Sequence, residues 1–135
     1  MGVLIDASVL IKAERGRIDL RDKLADRGDE EFFLSVVTAS ELLHGVYRAR
    51  DETTRARRAA VVEAVLQRFP LLPVDLATAR LHAQIGADLA SRGSLIGPND
   101  LWLAASALAH GLSLATGNVR EFGRVPGLIV EPWLD

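Results

Sequence analysis

Five short apolar segments, most of them separated by helical patterns, constrain this chain more than any other feature. Residues 3–5, 32–37, 71–74, 112–115 and 128–130 read as strands. They are apolar throughout rather than alternating, and the second is rich in aromatic and β-branched residues. A strand without a polar face is buried on both sides, which indicates a parallel sheet covered by helices on both faces. Helices are predicted over 7–14, 38–50, 53–68, 76–91 and 100–110. Gly16, Gly93 and Gly111 are placed to end three of them, Pro70 to stop the second long one, and Asp75 and Asn99 to act as N-caps.

The remaining composition narrows the chemistry. With 135 residues, 49% of them hydrophobic and 25% charged, the chain suits one folded domain. There is no cysteine, which removes disulfides, cysteine zinc sites and thiol nucleophiles together. No apolar stretch is long enough to span a bilayer. Val3-Leu4-Ile5 ends at Asp6 without a preceding basic segment, so a cytoplasmic protein with no membrane partner is expected. A net charge of −2 provides no whole-molecule attraction to nucleic acid. The cations are nonetheless two lysines against fourteen arginines, and arginine's planar fork suits phosphates and carboxylates alike.

Three acids stand at strand-to-helix junctions. Asp6 directly follows the first strand, where an N-cap and a ligand are both at home. Glu41 lies one turn into its helix, and Thr38-Ala39-Ser40-Glu41 also has capping-box spacing. Asp100 opens an apolar helix, where its charge suits the helix dipole. Each acid has a bland explanation, but their conjunction does not. Ligands bind at the carboxyl ends of the strands in such sheets, and the fold closes those junctions onto one rim. Crowded carboxylates repel unless a proton or a cation joins them. Oxygen-only donors select Mg²⁺ or Mn²⁺, ions that coordinate phosphate oxygens and activate water for attack on phosphorus. Asn118 follows the fourth strand; it reads either as an uncharged member of the site or as an N-cap with Glu121 at the capping-box position. Ser8 and Thr116 are placed to orient Asp6 or to hold metal-bound water.

The segment Val3-Leu4-Ile5-Asp6-Ala7-Ser8-Val9-Leu10 resembles the opening of a PIN domain. Thr38-Ala39-Ser40-Glu41-Leu42-Leu43-His44-Gly45, Pro98-Asn99-Asp100-Leu101-Trp102-Leu103-Ala104-Ala105 and Ala115-Thr116-Gly117-Asn118-Val119-Arg120-Glu121-Phe122 follow in the family's order. The resemblance spans nearly the whole chain and is strongest to VapC-type toxins of bacterial toxin–antitoxin pairs. It implies a three-layer α/β/α fold around a parallel sheet, as a single domain over 1–135. It also implies a metal-dependent endoribonuclease that cuts tRNA, rRNA or mRNA to 5′-phosphate and 3′-hydroxyl ends. The implied partners are a second copy, as a homodimer, and a neutralising VapB-type antitoxin. Asp6, Glu41 and Asp100 match the family's acidic metal site. The fourth position, often aspartate, is Asn118 here, so three charges and one well-held ion are expected.

Arg48, Arg50, Arg55, Arg57 and Arg58 straddle the turn between two helices. They read as a solvated face or, at Arg55, Arg57 and Arg58, as an RNA-binding edge. The three histidines lack zinc-motif spacing and read as structural. Trp102 is expected in the core, and Trp133 at a hydrophobic edge or a dimer contact. Apolar faces over 42–65 exceed the needs of a small sheet and suit a dimer or antitoxin contact. Two rivals fail on residues they require. A HAD-like phosphatase needs a second acid where Ser8 stands, and a response-regulator receiver needs a lysine beyond the last one, Lys23. A non-catalytic PIN-like module that binds RNA or a partner is the alternative that Asn118 favours.

Overall fold

Every residue of Gly2–Ile5 (β1) is buried, which explains an apolar strand with no alternation. The computed structural model describes residues 2–133. After β1 come α1 (Ala7–Glu14), α2 (Leu20–Ala25), β2 (Glu31–Ser35), α3 (Val36–Tyr47), α4 (Glu52–Arg68) and β3 (Leu71–Leu72). The chain continues through α5 (Leu76–Ser91), α6 (Pro98–Ala109), β4 (Ser113–Thr116), α7 (Val119–Phe122) and β5 (Val130–Pro132). The strands form one sheet in the order β3-β2-β1-β4-β5, and every pairing is parallel.

Both faces of this sheet are covered, as the strand composition predicted. Leu4 and Leu114 pack on Leu89 of α5 and on Leu103 and Ala107 of α6. On the other face Val3, Ile5, Leu34 and Ala115 meet Val9 and Leu10 of α1 and Val65 of α4. Burial of each large aliphatic side chain contributes roughly 1.5–3 kcal/mol. The expected three-layer α/β/α arrangement is therefore the observed one.

Helix ends agree with expectation where glycine sets them. At Gly93 and Gly111 φ is +64° and +65°, the left-handed region that glycine enters without penalty. Ser94 N–H and Leu112 N–H then return to the carbonyls of Leu89 and Ala107, each at 2.9 Å, closing the helices as Schellman turns.

Two helix starts differ from expectation. Ser35 accepts the Val37 N–H at 3.0 Å and caps α3, so the helix begins before Thr38 despite the β-branched pair Val36-Val37. Thr38 is a buried helical residue, and the Thr38–Glu41 capping box does not form. Likewise Asn99 is not the cap of α6. Gly97 holds that position and Pro98 occupies the first turn, where its missing N–H leaves nothing unsatisfied. The short helix α2, capped by Asp19, was not anticipated, because six residues are too few to carry a helical periodicity.

The β5 edge is held by a polar cluster that hydrophobic patterning does not reveal. Arg27 donates to the Glu131 carboxylate at 2.6 and 3.2 Å and to Glu30 at 2.7 Å. Ser113 Oγ and Trp133 Nε1 donate to Glu131 at 2.6 and 3.2 Å. The Arg27 guanidinium also lies 5.7 Å from the Phe32 ring centroid and 5.6 Å from that of Trp133. These donors hold the Glu131 carboxyl down at about 2, with the Arg27 hydrogen bond the largest cause. Trp133 is buried against Phe32, and so closes a hydrophobic edge.

Candidate active site

Asp6 leaves the end of β1 at the N-cap position of α1, but its side chain caps nothing. Its backbone N–H still extends the ladder, bonding to Ala115 O at 2.9 Å. The carboxylate, buried at 4% exposure, turns instead toward two hydroxyls. Ser8 Oγ donates to Oδ2 at 2.8 Å and Thr116 Oγ1 donates to the same oxygen at 2.7 Å. Each hydroxyl in turn accepts a backbone N–H, Ser8 from Gly117 at 3.0 Å and Thr116 from Asn118 at 2.9 Å. A hydroxyl has one proton to give, so these amides aim both protons at Asp6. Oδ2 is thereby occupied and Oδ1 is left for another ligand.

Glu41, released from any capping role, projects from α3 with a buried oxygen, Oε1, that has no hydrogen-bond partner. Burial, and then the charge of Asp6, push its carboxyl above the ordinary range. A buried acceptor without a donor is costly and calls for an explanation.

Asp100 sits in the first turn of α6. Its Oδ2 accepts Asn118 Nδ2 at 3.1 Å. The same amide nitrogen donates to Glu121 Oε2, and Glu121 Oε1 accepts the Gly97 N–H at 3.1 Å. Asn118 thus bridges two carboxylates instead of capping α7, and its side chain makes no cap hydrogen bond. The capping box between Asn118 and Glu121 is absent as well, since the Asn118 N–H goes to Thr116. Glu121 is thus a further acid beside Asp100, in addition to the three expected. Its only sequence signal was the Asn118-x-x-Glu121 spacing, which a capping box shares. The tie to Gly97 that separates the two readings is tertiary.

The cluster is short of positive charge. Burial is the main cause that pushes the Asp100 carboxyl up to about 7, followed by its contact with Glu121 and the fields of Asp6, Glu121 and Glu41. Glu121 moves the other way, held down chiefly by the Asn118 amide; the more buried Asp100 is the one that keeps the proton. Among the described residues no ion pair involves any of the four acids. The N-terminal ends of α1, α6 and α7 converge here and offset part of the repulsion. A divalent cation fits this donor set: all oxygen, one buried orphan and one carboxyl forced to hold a proton. Among the described residues no three acidic or histidine side chains are gathered as a ready-made ion cage.

The other predicted residues lie apart from this rim. Arg55 Nη2 donates to Ala49 O at 2.9 Å and Arg58 Nη1 to Gly45 O at 3.2 Å, satisfying carbonyls at the end of α3, while Arg57 is exposed. His82 stacks on half-buried Trp102 with centroids 3.5 Å apart, His110 lies 3.6 Å from Asp75, and His44 is exposed. A cleft of about 520 Å³ beside Arg17, Arg21 and Arg68 is lined by none of the site acids. Asp6 is buried and Glu41, Asp100 and Glu121 are half-buried.

The five-stranded parallel sheet flanked by helices fits the PIN domain, whose family model matches residues 3–128. Ribonuclease VapC1 of Rickettsia felis is 36% identical over 130 residues, covering 96% of this chain and 95% of that one. The tRNA(fMet)-specific endonuclease VapC of Salmonella typhimurium is 38% identical over 100 residues, 74% of each. Among solved structures, DNA-bound VapBC from Salmonella typhimurium matches with a TM-score of 0.89 at 30% identity, covering 98% of both chains. The chain belongs to the PIN-domain family, in its VapC ribonuclease branch.

Proposed function

We propose that this chain is the endoribonuclease toxin of a VapBC-type toxin–antitoxin pair, acting in the cytoplasm and hydrolysing RNA to 5′-phosphate and 3′-hydroxyl ends. The observation that carries the site assignment is the set of four carboxylates, Asp6, Glu41, Asp100 and Glu121, none of which forms an ion pair among the described residues. Asp6, Asp100 and Glu121 would hold Mg²⁺ or Mn²⁺, with Glu41 joining directly or through water. When bound, the ion supplies charge that stabilises a phosphodiester under attack and makes water more acidic.

The chain's own residues do the rest. Ser8 and Thr116 lock Asp6 in one orientation, so its free oxygen is preorganised. Glu41, with an unpartnered oxygen and a carboxyl pushed above the ordinary range by burial and by Asp6, is suited to take a proton from the attacking water. The water oxygen bonds to phosphorus as the bond to the ribose 3′-oxygen breaks, and that oxygen takes a proton from solvent as it leaves. The ribose 2′-hydroxyl takes no part. Asn118 keeps Asp100 and Glu121 side by side, a supporting role that needs no charge. With Glu121 present, Asn118 no longer favours a non-catalytic binding module.

The R. felis and S. typhimurium relatives are named as a ribonuclease and a tRNA endonuclease, which supports RNA as the substrate. The S. typhimurium structure is named as VapBC on DNA, which supports a VapB-type antitoxin as the partner. No helix among the described residues is long and apolar enough to cross a membrane. Exposed Tyr47 and Leu76 and the partly covered α3–α4 pair supply apolar surface for the antitoxin or for a homodimer. Arg57 and the free edges of Arg55 and Arg58 are offered to RNA phosphates.

Replacing Asp6 by Asn is expected to lower Mg²⁺-dependent cleavage of total RNA by about a hundredfold or more, with the circular dichroism spectrum unchanged. Cleavage that persists in this variant, or in EDTA, would sink the assignment. Glu121→Gln is expected to raise the Mg²⁺ concentration for half-maximal rate by roughly 10–100-fold. An unaltered Mg²⁺ titration would return the site to three acids.

A further inference from the structure

Glu41 and Arg48 share one face of α3. Seven residues make two turns to within about 20°, and carry the helix about 10 Å along its axis. Since Glu41 faces the acidic rim, its face runs from the rim toward the α3–α4 turn. Gly45 lies between them, four residues from Glu41, and a Cβ built there meets nothing within 4 Å. Its φ is not in the positive range, so no turn requires glycine. A glycine in a helix interior weakens the helix relative to alanine. Its distinctive property is to let another backbone approach closely.

The strip ends at a cleft of about 290 Å³ lined by Arg48, Arg50 and Arg58, with Asp51 and Thr54 beside them. The Asp51 carboxylate is engaged as the cap of α4, accepting Thr54 N–H at 2.7 Å and Thr54 Oγ1 at 3.1 Å. Three guanidinium groups against this one carboxylate leave the cleft positive. Arg48 and Arg50 are exposed and, among the described residues, form no ion pair. Arg58 is steadied by its hydrogen bond to Gly45 O. The cleft also lies on the catalytic side. α4 has 17 residues, about 25 Å, and packs on the sheet through Val65 and Leu66 near its C-terminal end. Its first turns therefore project past the carboxyl ends of the short strands.

We propose that this strip and cleft form a phosphate track, a second substrate subsite that rests on the ribonuclease reading above. A single RNA strand held at the acids passes its backbone over Gly45, and following phosphates dock on Arg48, Arg50 and Arg58. The arginine fork takes two oxygens of one phosphate. An acidic peptide offers similar oxygens, but only a nucleic-acid strand joins this cleft to a site built for a phosphodiester.

The test uses the full chain with Asp6→Asn to block turnover, titrated into a fluorescein-labelled mixed-sequence single-stranded RNA and followed by anisotropy at several salt concentrations. Adding Arg48→Gln and Arg50→Gln is expected to weaken binding about tenfold. The log–log salt slope should become shallower by about 1.4, two phosphate contacts at about 0.7 each. Gly45→Leu, which fills the strip, is expected to weaken binding about tenfold without lowering the melting temperature. If the double arginine variant keeps both affinity and slope, the track is overturned and the ribonuclease reading stands. If the unsubstituted chain neither binds nor cuts RNA, both fall. If the substitutions release only a poly-glutamate peptide and leave RNA binding intact, the cleft belongs to an acidic protein partner and the track is again overturned.

Discussion

Asp100→Asn is expected to abolish cleavage and, without divalent cation, to make the protein more stable. Both effects come from one carboxylate. Its pKa is raised to about 7, with burial the main cause and the neighbouring acids adding to it, against an ordinary value of 3.8. The folded state therefore binds more protons than the unfolded state between these values, and stability falls as pH rises from about 4 to about 7. Above that window the full penalty applies. Allowing for solvent screening it is roughly 1–2 kcal/mol, or about 3–6 °C in melting temperature. Asparagine removes the charge and still accepts from Asn118. In EDTA the variant should melt above the parent at pH 8 and converge with it near pH 4. Mg²⁺ should raise the parent's melting temperature and leave the variant's nearly unchanged. A variant that melts lower than the parent at pH 8 in EDTA would contradict the account of a strained carboxylate.

Arg27→Ala is expected to produce the largest loss of stability among the charged positions, about 2–4 kcal/mol. The substitution leaves Glu131 with only Ser113 and Trp133 as donors, and removes the guanidinium from between Phe32 and Trp133. Glu131 supplies the sign of the pH dependence. Its folded pKa lies near 2, below the ordinary 4.5. Its contribution is complete above about 4.5 and disappears as pH falls through that interval toward 2. Urea unfolding should therefore show the full gap between parent and variant at pH 7 and a much smaller one at pH 3. A gap independent of pH would mean that packing on the two rings, rather than the ion pair, holds this edge.

How far these features were legible depended on whether their cause was local. β1 was legible because burial on both faces leaves no polar residue in it. Gly93 and Gly111 were legible because a left-handed turn needs glycine whatever surrounds it. Asp6 and Asp100 were legible because strand-to-helix junctions in a parallel sheet meet at one rim. The start of α3 was misread because Val36 and Val37 favour extended backbone, and the Ser35 cap together with packing decided otherwise. Glu121 and Arg27 were missed for the same kind of reason. Each acts through partners distant in sequence: Gly97 and Asp100 in the first case, Glu131 and Trp133 in the second.

The sequence by itself determined a parallel α/β sheet, the PIN-domain pattern and the position of three acids at strand-to-helix junctions. All of these follow from residue type and order along the chain. Only the tertiary structure decided that Glu41 is an unpartnered acceptor rather than a cap, and that Asn118 bridges two acids. It alone placed Glu121 beside Asp100. An acidic side chain at the start of a helix can bond its own backbone or face a neighbour, with the same spacing in either case. What separates the two outcomes is which groups the folded chain brings within hydrogen-bonding distance.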